Sequence, residues 1–219
     1  MMVLALWAAQ DAVPDRYEKQ TIEGWTVLVD RELLGPRREL GDRILRFVRT
    51  KLAEVTLVVP EKPLAELRRV PIWIGVEAGT GAGAEYHPSR QWLVEHGHDP
   101  AKAKAVEIGN AAKLLDDWRR QPFVLLHELA HAYHDRVLGF DHPGIAAAYA
   151  GAVKEGRYES VLRYDGRKGR HYALTDAKEY FAEATEAYFG TNDFYPFVRP
   201  ELREHDPGIF AVLEEVWGR

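Results

Sequence analysis

His127, Glu128 and His131 stand in the order His-Glu-x-x-His, within the stretch Pro122-Phe123-Val124-Leu125-Leu126-His127-Glu128-Leu129-Ala130-His131-Ala132-Tyr133-His134. On an α-helix, four residues climb about 6 Å and turn about 40° past one full revolution. Both imidazoles then leave the same face, close enough to share one metal ion. Zinc suits such a pair, since it takes neutral imidazole nitrogen at about 2.0–2.1 Å in tetrahedral sites. Glu128, beside the first histidine, is placed to take a proton from a metal-bound water.

The flanks separate this trio from a chance run on a solvated helix. Val124, Leu125, Leu129, Ala130, Ala132 and Tyr133 are uncharged, so the polar groups sit in an otherwise apolar helix. Buried polar groups without partners cost several kcal/mol, roughly 2–7 depending on the reference state, and a metal ion removes that cost. The chain has no cysteine, which excludes thiolate ligands and leaves His, Asp and Glu.

Two histidines do not complete a catalytic zinc site, which usually has three protein ligands and an open position. A third histidine on the same helix is ruled out, because position 137 is Val and position 134 is His where the longer motif needs Gly. The segment Glu179-Tyr180-Phe181-Ala182-Glu183-Ala184-Thr185-Glu186 offers three carboxylates at i, i+4 and i+7. As a helix it puts them on one face. Such a face repels itself unless it is solvated or meets cations. Facing the two histidines, it would give one Glu to the metal and another to the support of a ligand histidine.

The elements that must position these groups follow from pattern. The 219 residues fit one domain, with 46% hydrophobic residues to form a core. A formal net charge of −5 gives no sign of nucleic acid or anionic lipid as partner. No segment is apolar for long enough to span a membrane. Residues 1–22 are expected to be a tail, with Met2 to Ala9 as the remnant of a secretory signal or as an apolar element packed on the domain. The first reading points to an extracellular or periplasmic location; the second leaves the cytoplasm open. The domain is expected to run from 23 to 219. Strands are expected at 23–30, 70–76 and 105–110, and helices at 37–55, 64–69, 122–138, 146–155, 176–189 and 207–217. A helical turn is expected over 111–117. Gly79 to Ala84 is expected to be a turn or lid loop, residues 85–88 and 91–95 short strands or loop, and 158–170 a polar loop.

Phe123 to His134, together with Tyr172 and Glu179-Tyr180-Phe181-Ala182-Glu183-Ala184, resembles the catalytic domain of anthrax lethal factor and its bacterial relatives, which are gluzincin zinc peptidases. The resemblance covers about residues 123 to 189. It implies Glu179 as third ligand and Glu183 as its partner behind the metal. It also implies Tyr172, seven residues before that ligand, as donor to the oxyanion. The Asn-Glu-x-x-x-Asp ligand helix of the thermolysin type is absent, and nothing corresponds to the domains with which lethal factor recruits kinases. The expected fold is α+β with zincin architecture: a twisted sheet in the N-terminal half, an active-site helix and a helical C-terminal half. The expected function is zinc-dependent hydrolysis of peptide bonds in a peptide or protein substrate. A zinc-binding scaffold without turnover and a hydrolase of a non-peptide amide are the alternatives. The substrate strand is expected to pair with 106–110.

Overall fold

The structure is a computed structural model, described here for residues 14–76 and 83–218. The chain is an α+β protein with one mixed five-stranded sheet. Its strands are β1 (Tyr17–Ile22), β2 (Trp25–Asp30), β3 (Ile72–Ile74), β4 (Glu85–Tyr86) and β5 (Val106–Ile108), in the order β1-β2-β3-β5-β4. β2, β3 and β5 are parallel, while β1 and β4 run antiparallel at the edges. β1 and β2 form a hairpin through Glu23 and Gly24, at φ 50° and 91°. Two positive φ values fit the type I′ turn that matches strand twist, and glycine relieves the second.

β1 corrects the expected boundary, because Tyr17–Ile22 belong to the sheet rather than to a tail. The expected signal remnant, Met2 to Ala9, and the expected loop over 79–82 lie outside the described residues. β5 corrects a second expectation. It lies between β3 and β4, and β4 pairs with Val106 and Glu107, so that part of the expected 106–110 edge is already occupied. Among the described residues, the edge strand on that side is β4.

Side chains alternate across the sheet as strand pleat requires. Trp25, Val27, Val29, Ile72, Ile74, Val106 and Ile108 enter the main core. Tyr17, Leu28 and Trp73 form a small cluster with Ala105 on the other face. Glu107, on that second face, is buried, and it accepts from Lys102 Nζ at 2.5 Å and meets His87 Nε2 at 2.8 Å.

The helices are α1 (Arg31–Leu34), α2 (Arg38–Val58), α3 (Glu61–Leu67), α4 (Arg90–Glu95), α5 (Ala111–Asp117), α6 (Val124–Tyr133), α7 (Pro143–Glu155), α8 (Ala177–Phe189), α9 (Arg199–His205) and α10 (Pro207–Trp217). α2 buries Gly41, Ile44, Val48, Leu52 and Val55, a single stripe at helical spacing. Gly41 is required there, since a Cβ would lie 1.8 Å from the Leu33 carbonyl oxygen. α4 replaces an expected short strand or loop, and α9 lies in a stretch for which no element was expected. Between α7 and α8, the expected polar loop contains a small hairpin of β6 (Val161–Leu162) and β7 (Lys168–Gly169).

α6 and α8 are the buried centre. Nine residues of α6, Val124 to Ala130 with Ala132 and Tyr133, and nine of α8, Tyr180 to Tyr188, are buried. Both helices therefore need partners on all sides. α10 supplies one: Trp217 stacks on Tyr133 at 4.4 Å and donates to Thr185 Oγ1 at 3.2 Å. The expected 122–138 helix divides at Tyr133, where the backbone widens into a π-turn over His134–Leu138.

Candidate metal centre

α6 and α8 lie so that the start of one meets the end of the other. Phe123, just before α6, packs its ring on Gly190, just after α8; a Cβ at Gly190 would lie 2.2 Å from that ring. At the other end, Asp176 caps α8 by accepting from the backbone nitrogens of Lys178 and Glu179 at 2.7 and 3.0 Å. That cap sets the first-turn residue Glu179 beside the histidines.

The expected residues come together. His127 Nε2, His131 Nε2 and Glu179 Oε2 form a triangle with edges of 3.1, 3.1 and 3.3 Å. Ligands about 2.0–2.1 Å from a tetrahedral zinc are about 3.3–3.4 Å apart, so the donor set fits one face of that tetrahedron. These three residues could together hold one metal ion. A second grouping, His127 with Glu183 and Glu186, offers only one imidazole.

The imidazoles and carboxylates of this cluster stabilise each other's charge. Burial pulls the His127 pKa down, but hydrogen bonds with Glu179 and Glu186 outweigh it and hold His127 well above the ordinary imidazole value. Burial pushes Glu179 up, yet its contacts with His127 and His131 win and hold it well below the usual carboxylate range. The raised His127 value reflects the carboxylates around it, and the lowered Glu179 value reflects the two imidazoles beside it.

The carboxylate behind His127 is not the expected one. His127 Nδ1 donates to Glu186 Oε1 at 2.7 Å, and Gln121 Nε2 donates to the same oxygen at 2.9 Å. Glu183 Oε1 is 3.7 Å from His127 Nδ1, beyond hydrogen-bond range. Glu183 instead takes the Asn192 side-chain amide at 2.8 Å. Burial and the neighbouring Glu186 charge raise the Glu183 pKa well above normal. With Nδ1–H donated to Glu186, Nε2 is the His127 nitrogen that faces His131 and Glu179 and could turn a lone pair to a metal ion.

Glu128 is 8% exposed, and one of its oxygens accepts from the Tyr86 backbone nitrogen at 2.8 Å. Burial raises its pKa. Tyr86 lies on the edge strand β4, and its hydroxyl donates to Asp135 Oδ2 at 2.6 Å in the π-turn. The rim of the sheet is thus tied to α6 and to the turn after it at both ends of one residue. Sequence reasoning missed this link, as it missed Gln121, because both depend on contacts between distant segments.

Tyr172 opens a short 3₁₀ turn and is 50% exposed. Burial and then the nearby Glu179 charge raise its pKa. A cleft of about 780 Å³ is lined by His127, Glu128, His131, Glu179, Tyr172 and Tyr86 among others.

Comparison with protein-family models, with curated proteins and with solved structures finds no match.

Three other histidines stand outside the donor set. His134 is fully buried between Phe140 and Phe181, and burial lowers its pKa to about 4. His142 caps α7 by accepting from the Ile145 nitrogen at 3.3 Å. His171 is buried, stacks on Phe194 at 4.7 Å, and burial brings its pKa down to about 3.

Proposed function

We propose that this chain is a zinc-dependent peptidase of zincin architecture. His127, His131 and Glu179 are the protein ligands and Glu128 is the general base. The observation that carries the reading is the donor triangle and the Glu128 carboxylate on one open cleft. Zinc held there would lower the pKa of its water to about 7 and polarise the substrate carbonyl.

The chain's own residues supply the rest. Glu186 orients His127 through Nδ1. Glu128, raised by burial toward working pH, takes the proton of the attacking water and passes it to the leaving amine. The Tyr86 backbone N–H holds one Glu128 oxygen and leaves the other for that proton. Tyr172, half-exposed on the cleft wall, donates to the carbonyl oxygen as it gains charge. β4, the edge strand beside the cleft, is where a substrate strand would approach, with the Tyr86 N–H already given to Glu128.

The test is metal content together with cleavage of an unbiased peptide library, mapped by mass spectrometry. The expected result is one zinc per chain and cleavage that a chelator abolishes. Glu128→Gln keeps zinc and fold and loses about 10²–10⁴ in turnover. One zinc per chain without cleavage would leave an inert scaffold, and hydrolysis confined to non-peptide amides would leave the other hydrolase.

A further inference from the structure

Four cations line the cleft among the described residues: Lys113, Arg120, Arg163 and Lys178. Three have carboxylate partners. Lys113 pairs with Asp117, Arg120 reaches Asp117 at 3.8 Å and Lys178 reaches Asp176 at 3.4 Å. For Arg163 the described residues provide no carboxylate at ion-pair distance. Its Nε is buried and has no hydrogen-bond partner.

Arg163 is nevertheless held in place. On one side its backbone N–H donates to the Arg167 carbonyl at 2.8 Å, and on the other it bridges Phe194. The neighbouring Tyr164 nitrogen donates to the Asp193 carbonyl, and Tyr195 to that of Leu162, both at 2.8 Å. The guanidinium lies 5.2 Å from the centre of the Phe194 ring, which stacks in turn on His171 beside Tyr172. A preformed, partly desolvated guanidinium is matched by the two oxygens of a carboxylate, which the fork binds in parallel. Rigid presentation keeps the ordering cost of such binding low.

We infer that Arg163 is a carboxylate-recognition residue of the cleft, which selects peptides carrying an acidic side chain or a free C-terminus. The inference rests on the peptidase reading and names its substrate class. The shared chemistry is a carboxylate, and the two sources are separated by experiment.

The probes are short fluorescent peptides of one apolar sequence, with Glu or Gln at each position in turn and with a C-terminal acid or amide. Binding to the zinc-loaded Glu128→Gln protein is read by anisotropy, which needs no turnover. The expected result is about tenfold tighter binding of a carboxylate peptide than of its neutral counterpart. That ratio falls close to one in Arg163→Gln, is partly kept in Arg163→Lys, and inverts in favour of the neutral peptide in Arg163→Glu. A preference limited to the free acid assigns the C-terminus, and one that survives amidation assigns a side chain. Equal binding of acid and neutral peptides, a preference that persists in Arg163→Gln, or a uniform loss for all peptides would overturn the inference. Carboxylate preference without any cleavage by the wild-type chain would remove the peptidase reading and leave this one standing.

Discussion

Glu186→Gln against Glu183→Gln tests the most specific feature of the centre. Glu186 is fully buried, and its Oε1 receives both the His127 imidazole and the Gln121 amide. Replacing it by Gln keeps the shape and an acceptor oxygen but removes the charge. A charge-assisted hydrogen bond contributes about 1.5–3 kcal/mol and a neutral one about 0.5–1.5, so the change costs about 1–1.5 kcal/mol at His127. That figure corresponds to about tenfold weaker zinc binding, the lower end of what changes behind a metal ligand usually cost. Glu183, at 3.7 Å from the same nitrogen, should change zinc affinity about threefold or less when replaced by Gln. Affinity is measured by competition with a chromophoric chelator, and circular dichroism verifies the fold of each variant. Refutation is a plain reversal: Glu183→Gln weakening zinc tenfold while Glu186→Gln leaves it unchanged.

Glu179→Ala should lose zinc by elemental analysis, and full occupancy in that variant would sink the ligand assignment. Tyr172→Phe should lower kcat by about 10²–10³ with little change in KM or zinc content, as expected of an oxyanion donor; a rise in KM alone would make it a substrate-binding residue. Stability should fall with acid. His171, brought down by burial to about 3 from an unfolded value near 6.5, contributes stability that is fully present above about 6.5 and is lost as pH falls toward 3. Thermal melts at pH 7.5 to 4.5 should show the wild type losing up to about 1.4 kcal/mol per pH unit more than His171→Asn, which keeps a turn-capping acceptor; parallel curves would exclude His171 as the source. Glu107 acts in the same direction lower down. Burial opposes its ionisation, but His87 and Lys102 hold it below the usual carboxylate range, so its contribution is present above its unfolded value and lost as pH falls through the depressed one.

The chain's local patterns were readable in advance. The spacing of His127 and His131, the acidic face of Glu179, Glu183 and Glu186, and the stripe of α2 follow helical period, which depends only on neighbours in sequence. β1 was not readable, because its middle residues are polar and its strand character comes from pairing with β2. The same limit hid the position of β5: three buried residues in sequence do not tell whether a strand is central or at an edge. It also hid which carboxylate meets His127. Glu183 and Glu186 differ by less than one turn, and sequence gives both to one face. The choice is made by the packing of Phe123 on Gly190, which sets how far α6 slides along α8, and by Gln121 and Asn192, which each draw one of the two carboxylates. Spacing along one helix is determined by backbone geometry alone, whereas the meeting of two helices is determined by side chains that lie far apart in the chain.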